Sequence, residues 1–168
     1  MCRPSLTLGS LFDGSSGFPL GGVLAGITPV WASEIEPFPI RVSTRRFPSM
    51  KHYGDISRMD GGKIEPVDII TFGSPCTDMS LAGKRAGLGG KQSSLFYEAI
   101  RIIKEMRCAT NGRYPRWICW ENVVGAFSSN RGLDFKAVLE AVIGINEPGV
   151  EVPMPEKDRW PYADIYMG

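Results

Sequence analysis

The stretch "VDIITFGSPC", Val67 to Cys76, decides the fold class of this chain. Its first six residues carry apolar side chains on both faces of an extended backbone: Val67, Ile69, Ile70 and Phe72. Strands that are apolar on both faces are typical of parallel sheets covered by helices on each side. The stretch therefore predicts an interior strand of an α/β protein, followed directly by a loop that contains a cysteine.

The segments around this strand alternate between strand-like and helix-like patterns. Strands are predicted in "SLTLGSLF", "PVWASEI" and "PRWICW", and helices from near Phe18, over 37–46, in "SLFYEAIRIIKEMR" and in "DFKAVLEAVIGI". This order predicts a doubly wound, mostly parallel α/β sheet of the Rossmann-like type, incomplete at its C-terminus. We assign residues 1–148 to this domain and residues 149–168, rich in Pro and charge, to a loop or tail that leads to a missing C-terminal part.

Bulk composition narrows the class of protein further. The chain has 168 residues, which suits one domain with a real core. Its net charge of +1 does not by itself indicate a nucleic-acid partner, although a local basic stripe would suffice. No apolar run approaches the ~20 residues of a membrane span, and the first residues do not resemble a secretory signal. We therefore expect a cytoplasmic protein with no membrane partner.

The four cysteines include no C-x-x-C pair, and His52 is the only histidine. Structural zinc sites need close pairs of such ligands, so no metal site is predicted. Disulfides are not expected in a reducing compartment. Cys119, inside the apolar "WICW", is predicted to be buried and inert. Cys76 follows a Ser-Pro pair in a loop of small residues, which leaves packing and nucleophilic chemistry open, although a core cysteine is more typical within an apolar run.

The other predicted strands also end at polar or glycine residues. "FDGSSG" places Gly14 and Gly17 in a turn before a helix, where free N–H groups can bind anionic groups; a plain tight connection is the alternative. Glu34 follows 20 residues after Gly14, as expected for a carboxylate that binds a ribose diol, or for an ordinary surface carboxylate. The pair suggests a cofactor that contains a nucleoside. In parallel sheets such ligands bind beyond the carboxyl ends of the strands.

Two further motifs lie at predicted strand ends. Asp55 in "GDIS" is placed to accept a hydrogen bond from an adenine amino group, with Ile56 against the ring, or else to cap a helix start. Glu121 in "WENV" is expected to face the same crevice as Cys76, where Glu121 and Asn122 could bind the edge of a polar ring; a strand-end cap is the alternative.

In this order, the motifs resemble those of the DNA (cytosine-5) methyltransferases, above all the bacterial and prophage restriction-modification type. That family's pattern is F-x-G-x-G-G, an acidic strand end, G-D-I, P-C-Q-x-x-S, T-L-F and E-N-V. The counterparts here are "FDGSSG", "ASEIEP", "GDIS", "PCTDMS", "SSLF" and "ENVVGAF", over residues 6 to 145.

The resemblance implies a cofactor, a substrate and a role for each matched residue. It implies methyl transfer from S-adenosylmethionine to carbon 5 of a cytosine that is flipped out of double-stranded DNA, with Cys76 as nucleophile. Glu121 would hold the cytosine ring, supported by Asn122, Pro75 and Ser80. The loop over residues 79–94 would clamp the DNA backbone. The implied cofactor-binding residues are Phe12, Gly14, Ser15, Gly17, Phe18, Glu34, Ile35, Asp55, Ile56, Pro75 and Leu95.

The sequence departs from the family pattern at three points. Ser16 stands where the family has a glycine, and Thr77 where it has a glutamine. The family's Q-R-R-x-R strand, its target-recognition domain and its last cofactor-contacting helix have no counterpart. We therefore expect the amino-terminal part of such an enzyme, of uncertain activity alone, whose partner is a missing C-terminal half or a complementing subunit. The alternatives are a tRNA cytosine-5 methyltransferase, a non-catalytic methyltransferase-like binding domain and, more distantly, a plain NAD-binding Rossmann protein.

Overall fold

The computed structural model describes residues 5–73, 94–155 and 160. It divides the chain into two compact units, which are described separately. Unit 1 consists of residues 1–74 and 96–121, and unit 2 of residues 75–95 and 122–168. The predicted boundary near residue 148 stays a prediction.

Unit 1 is built on a five-stranded parallel sheet. Its strands are β1 (Thr7–Leu11), β2 (Thr28–Ser33), β3 (Lys51–His52), β4 (Ile69–Phe72) and β5 (Trp117–Trp120). They lie in the order β3-β2-β1-β4-β5, and all neighbours run parallel. The chain moves outward from β1 to β3 and then returns to the other side of β1. This reversal creates a topological switch point between β1 and β4, and it confirms the predicted α/β fold class.

Three helices connect the strands of unit 1: α1 (Gly17–Leu24), α2 (Pro37–Arg46) and α3 (Ser94–Ala109). The predicted start of α1 is confirmed to within one residue, and the predicted bounds of α2 are confirmed. Pro37 begins α2 because its fixed φ suits the first helical turn and its missing N–H is not needed there. Phe96 of α3 packs against Phe72 and Trp120, with ring centroids 6.1 and 5.9 Å apart, and so covers the ends of β4 and β5.

A cross-strand pair of a glycine and a tryptophan fills the core between β1 and β2. Gly9 of β1 lies opposite Trp31 of β2, and the fully buried indole of Trp31 covers the place where a Cβ of Gly9 would be. The indole Nε1 donates a hydrogen bond of 2.8 Å to the carbonyl of Glu65. Gly9 is therefore needed for space, and Trp31 supplies the apolar cover that the glycine lacks.

β5 corrects one prediction. Cys119 is exposed and not buried, and Trp117 on the same strand is 63% exposed. Trp117 and Cys119 are two residues apart and so lie on one face of β5, and that face is exposed, whereas Ile118 and Trp120 on the other face are half-buried. The apolar strand sequence predicted burial correctly for β4 and wrongly for Cys119 on β5.

Unit 2 contains two 3-10 turns (Val124–Phe127 and Ser129–Gly132) and helix α4 (Leu133–Ile143). Phe135 of α4 packs between Phe127 and Trp160, at centroid distances of 4.6 and 5.3 Å. Trp160 also donates a 2.8 Å hydrogen bond to the carbonyl of Gly132. Among the residues that the structure describes, no helix is long and apolar enough to cross a membrane.

Candidate functional site

The predicted site residues of unit 1 follow the carboxyl ends of its strands. Phe12 to Gly17 follow β1, Glu34 follows β2, Asp55 lies beyond β3, and Gly73 and Glu121 follow β4 and β5. Because the five strands are parallel, these positions all lie at the carboxyl-terminal end of the sheet. Parallel α/β sheets bind their ligands at this end of the strands, next to the switch point.

The turn after β1 is held in an unusual backbone conformation. Phe12, Gly14 and Ser16 have φ angles of 54°, 56° and 69°, in the left-handed region that favours glycine. Ser16 occupies the position where the resemblance predicts a glycine, and the structure gives the physical reason for that preference. Left-handed geometry at a residue with a Cβ costs about 1–2 kcal/mol. Ser16 therefore needs a compensating interaction.

Asp13 supplies that interaction. The hydroxyl of Ser16 donates a hydrogen bond of 2.7 Å to Oδ2 of Asp13, and the Ser16 N–H donates one of 3.1 Å to the Asp13 carbonyl. The Asp13 side chain is only 6% exposed. Burial raises the pKa of Asp13 above its usual value, although the hydrogen bond from Ser16 acts in the opposite direction. The pair fixes the turn that precedes α1.

Sequence reasoning did not assign a role to Asp13. The available signal was an acidic residue inside a glycine turn with a serine three residues later, a spacing that allows a side chain to bond across the turn. Asp13 therefore stabilises the turn with a serine at residue 16, where the resemblance predicts a glycine.

Glu34 contacts the glycine turn directly. Its Oε2 accepts a hydrogen bond of 2.7 Å from the N–H of Gly14, and its Oε1 accepts from the N–H groups of Ile35 and Glu36, at 2.7 and 3.0 Å. The structure thus brings together the turn and the carboxylate that the sequence predicted to share a ligand. Ile35, beside Glu34, is 65% exposed and open to contact.

Asp55 caps the 3-10 helix over Ile56–Arg58. Its Oδ1 accepts hydrogen bonds from the N–H and the hydroxyl of Ser57, at 2.9 and 2.8 Å. The backbone bond from Ser57 is the main cause of a lowered pKa for the Asp55 carboxyl. The capping alternative is therefore realised, and Oδ2 accepts no hydrogen bond from the described residues. Ile56 is buried, with 3% exposure, and anchors the segment.

Glu121 lies against the end of β4. Its backbone N–H donates a 2.9 Å hydrogen bond to the carbonyl of Phe72, and a Cβ added to Gly73 would be 2.8 Å from Oε2 of Glu121. The carboxylate therefore occupies the space beside Gly73, three residues before Cys76 in the sequence. The predicted residues Pro75, Cys76 and Ser80, and the clamp over residues 79–93, lie outside the described residues.

Two of the predicted site residues that the structure describes belong to unit 2. Asn122 is half-buried, and its Oδ1 accepts a 2.8 Å hydrogen bond from the N–H of Val123. Leu95 is half-buried in the first turn of α3. The remaining residues of the glycine turn differ in exposure, since Ser15 is exposed and Phe18 is half-buried in α1.

The residues of unit 1 suit an adenosine-containing cofactor. A Cβ built on Gly14, Gly17 or Gly54 would meet no other described atom within 4 Å, so there is open space beside each of these residues. A carboxylate lies at the end of β2 and another beyond β3, as needed for a ribose and an adenine amino group. Within residues 5–73, 94–155 and 160, no group of three His, Cys, Asp or Glu side chains could hold a metal ion.

Comparisons with known proteins agree with this architecture. The model of the C-5 cytosine-specific DNA methylase family matches residues 6–146. A crystal structure described as that of a DNA modification methyltransferase encoded within an Escherichia coli prophage matches this chain with a TM-score of 0.64 and 24% sequence identity. The match covers 83% of this chain and 38% of that one. At that identity, the likeness shows the fold alone.

Curated relatives are methyltransferases of phages and bacteria. M1.ScrFI, a type II methyltransferase of Lactococcus lactis subsp. cremoris, is 35% identical over 79% of this chain and 32% of its own length. A DNA N-6-adenine-methyltransferase of Escherichia phage P1 is 31% identical over 92% of this chain and 21% of its own length. The chain thus spans between about a fifth and a third of these relatives. Since the family model covers most of the residues, the chain belongs to the C-5 cytosine-specific DNA methylase family.

Proposed function

We propose that this chain is the cofactor-binding and nucleophile-bearing part of an enzyme that methylates carbon 5 of cytosine in double-stranded DNA. The description of the family supports carbon 5 of cytosine as the position, and that description and the name of the phage P1 relative support DNA as the substrate. Because the chain spans only 21–32% of those relatives, the activity of a whole enzyme is part of the proposal, as is a further C-terminal half or subunit that reads the DNA sequence.

S-adenosylmethionine is the proposed methyl donor, and it supplies an electrophilic methyl group on a sulfonium when bound. Glu34 would hold its ribose, with Asp55, Ile35 and Ile56 around its adenine. The remaining proposed contacts are Phe12, Gly14, Ser15, Gly17, Phe18, Pro75 and Leu95. The hydrogen bond of 2.7 Å between Gly14 and Glu34 supports this assignment, because it puts two of the proposed contacts at one place before any ligand binds.

Cys76 and Glu121 would activate the base. Carbon 5 of cytosine is a weak nucleophile, so the Cys76 thiolate adds to carbon 6, and the electron pair of the 5,6 double bond becomes available at carbon 5. The Glu121 carboxyl group hydrogen-bonds the ring nitrogen and offsets the negative charge that develops during addition. After methylation, a base removes the hydrogen from carbon 5 and the thiolate leaves, which restores the double bond. The target must leave the base stack, at a cost of about a few kcal/mol.

One observation carries the proposal. Glu121 follows β5, yet its carboxylate lies beside Gly73 at the end of β4, and Cys76 follows Gly73 by three residues. A carboxylate held next to the strand from which a Pro-Cys pair emerges supports a joint action of Cys76 and Glu121 on one ring. The parallel register of β4 and β5, which pairs Phe72 with Trp120, brings the next residues of the two strands, Gly73 and Glu121, side by side.

The test is covalent capture on duplex DNA that contains 5-fluorocytosine, in the presence of S-adenosylmethionine and of the complementary C-terminal half of a relative. Cys76→Ser should abolish the adduct, because the thiolate is the attacking group. Cys119→Ser is the matched control, since Cys119 is an exposed thiol on β5 and should leave the adduct unchanged. An adduct that survives Cys76→Ser would remove Cys76 from the proposed role.

The N-6-adenine relative supports a second candidate, methylation of adenine in DNA. Amino groups attack a methyl donor without a covalent enzyme intermediate, so this reaction needs no thiol. Methyl transfer from tritium-labelled S-adenosylmethionine to duplexes that lack cytosine would favour it, above all if Cys76→Ser keeps that transfer. Transfer that requires both cytosine and Cys76 would reject it.

A further inference from the structure

Arg101 on α3 has every donor of its guanidinium group engaged by unit 1. Its Nε donates to Glu98 at 2.9 Å, Nη1 donates to both carboxylate oxygens of Glu105 at 2.9 Å, and Nη2 donates to Glu98 at 2.5 Å. Nη1 and Nη2 also donate to two backbone carbonyls, those of Met59 and Ile56, both at 2.9 Å. An arginine that served only as a surface ion pair would not need both carbonyls.

The two carbonyls belong to the segment that carries Asp55. Ile56 begins the 3-10 helix over Ile56–Arg58, and Met59 caps its C-terminal end. The Ile56 carbonyl already accepts the N–H of Met59 at 3.1 Å and takes Arg101 as a second donor. A planar guanidinium can bind this carbonyl and that of Met59 at once. Arg101 therefore fixes the position of the 3-10 helix relative to α3.

A second set of contacts holds the same segment from its other end. The N–H of Gly61 donates a 2.7 Å hydrogen bond to Oε2 of Glu105, which is also a partner of Arg101. Gly61 is buried, and a Cβ there would overlap the carbonyl of Ile102 in α3. Residues 56–61 are thus docked on α3 at both ends through one Arg-Glu network.

We propose that Arg101 is a positioning residue for adenine recognition, acting through the 3-10 helix that it holds. The inference rests on the proposed function, because Asp55 is the residue assigned there to the adenine amino group. Oδ1 of Asp55 is committed to Ser57 at the start of that helix, so the direction of Oδ2 follows the orientation of the helix. A shift of the helix would move the acceptor away from the amino group.

The test compares Arg101→Lys with Arg107→Lys in the full chain. Lysine keeps the charge but offers a single ammonium group, which cannot bind two carbonyls and two carboxylates in the same geometry. Arg107 lies on the same helix and also donates to a backbone carbonyl, that of Pro115 at 2.8 Å, away from the segment over residues 56–61. It is therefore a matched control for an arginine–carbonyl contact on α3.

Calorimetry measures the affinities for S-adenosylhomocysteine and for S-inosylhomocysteine, which lacks the adenine amino group. The native chain should prefer the first ligand, because a carboxylate accepts a hydrogen bond from the amino group. Arg101→Lys should reduce this preference by about tenfold, the worth of one such hydrogen bond, whereas Arg107→Lys should keep it. A purely structural role would weaken both ligands equally and leave the ratio unchanged, and that result would overturn the proposal.

Hydrogen exchange separates this inference from the proposed function. The amides of Arg58, Met59 and Gly61 should exchange faster in Arg101→Lys than in Arg107→Lys, with or without a ligand. If exchange changes as expected but the native chain binds neither ligand, the proposed cofactor site fails, and the adenine role of Arg101 fails with it. If the native chain binds S-adenosylhomocysteine and neither exchange nor preference changes, only the positioning role is rejected.

Discussion

Replacing Gly9 by alanine should destabilise the fold, because the indole of Trp31 occupies the space of the new Cβ. The overlap involves three ring atoms, Cζ2, Cε2 and Cη2, so rotating one ring edge away does not relieve it. The ring is fully buried and is tethered to the carbonyl of Glu65 by a 2.8 Å hydrogen bond. Either the indole shifts and loses this bond, or β1 moves away from β2.

The magnitude follows from three contributions. Overpacking of a filled core costs about 1–3 kcal/mol, and losing the indole hydrogen bond costs about 1 kcal/mol more. Removing a glycine from a strand returns about 0.5–1 kcal/mol, because the unfolded chain has less freedom to lose. We expect a net loss of about 2 kcal/mol in the free energy of unfolding. With an m-value of about 2 kcal/mol per molar urea, the unfolding midpoint should fall by about 1 M.

Urea denaturation followed by tryptophan fluorescence measures this shift. Gly21→Ala is the matched control, because Gly21 lies in α1 and a Cβ there meets no described atom within 4 Å; it should stabilise the chain by up to about 1 kcal/mol. A double variant isolates the cause, since the cost of Gly9→Ala should largely vanish in a Trp31→Leu background. An unchanged or higher midpoint for Gly9→Ala alone would refute the steric reasoning.

Two further predictions concern the site. Gly73→Ala should leave the free energy of unfolding within about 1 kcal/mol of the native value, because the flexible end of Glu121 can move away from the new Cβ. It should slow adduct formation with 5-fluorocytosine DNA about tenfold, and an unchanged adduct rate would contradict the proposed alignment. Asp13 has a folded-state pKa above its ordinary 3.8, so its contribution to stability is present below pH 3.8 and is lost as the pH rises through the folded pKa. The free energy of unfolding of Asp13→Asn should therefore rise relative to the native chain from about pH 3.8 upward, measured by urea titration across pH 3–7, and a pH-independent difference would show that Asp13 does not titrate abnormally.

The fold followed from sequence wherever local pattern and burial agree. β4 is apolar on both faces and lies between two strands, so its pattern and its environment coincide. The helix over Pro37–Arg46 begins at a proline and ends with two arginines, and both signals are local. Cys119 shows the opposite case, because its exposure depends on whether another element covers that face of β5, and no feature of "WICW" carries that information.

The candidate site was predictable only in part for a related reason. The contact between Gly14 and Glu34 was predictable from the spacing of the strand ends, because parallel strands all end on the same side of the sheet. The roles of Asp13 and Arg101 were not, because their importance comes from backbone geometry. In one case this is a left-handed Ser16, and in the other it is the carbonyls of the first residue and the C-cap of a 3-10 helix. Those carbonyls lie more than 40 residues from Arg101 in the sequence.

The two acidic residues of the candidate site, Glu34 and Asp55, have structural roles that are compatible with ligand binding. Asp55 does cap a helix start, and Glu34 does bind backbone N–H groups, so the ordinary structural roles are real. These roles do not compete with ligand binding, because a carboxylate has two oxygens and about four acceptor positions. One oxygen of Asp55, held by Ser57, fixes the direction of the other. A carboxylate that is already oriented loses little entropy when a ligand donates to it, so the capping bond would favour the proposed recognition of adenine.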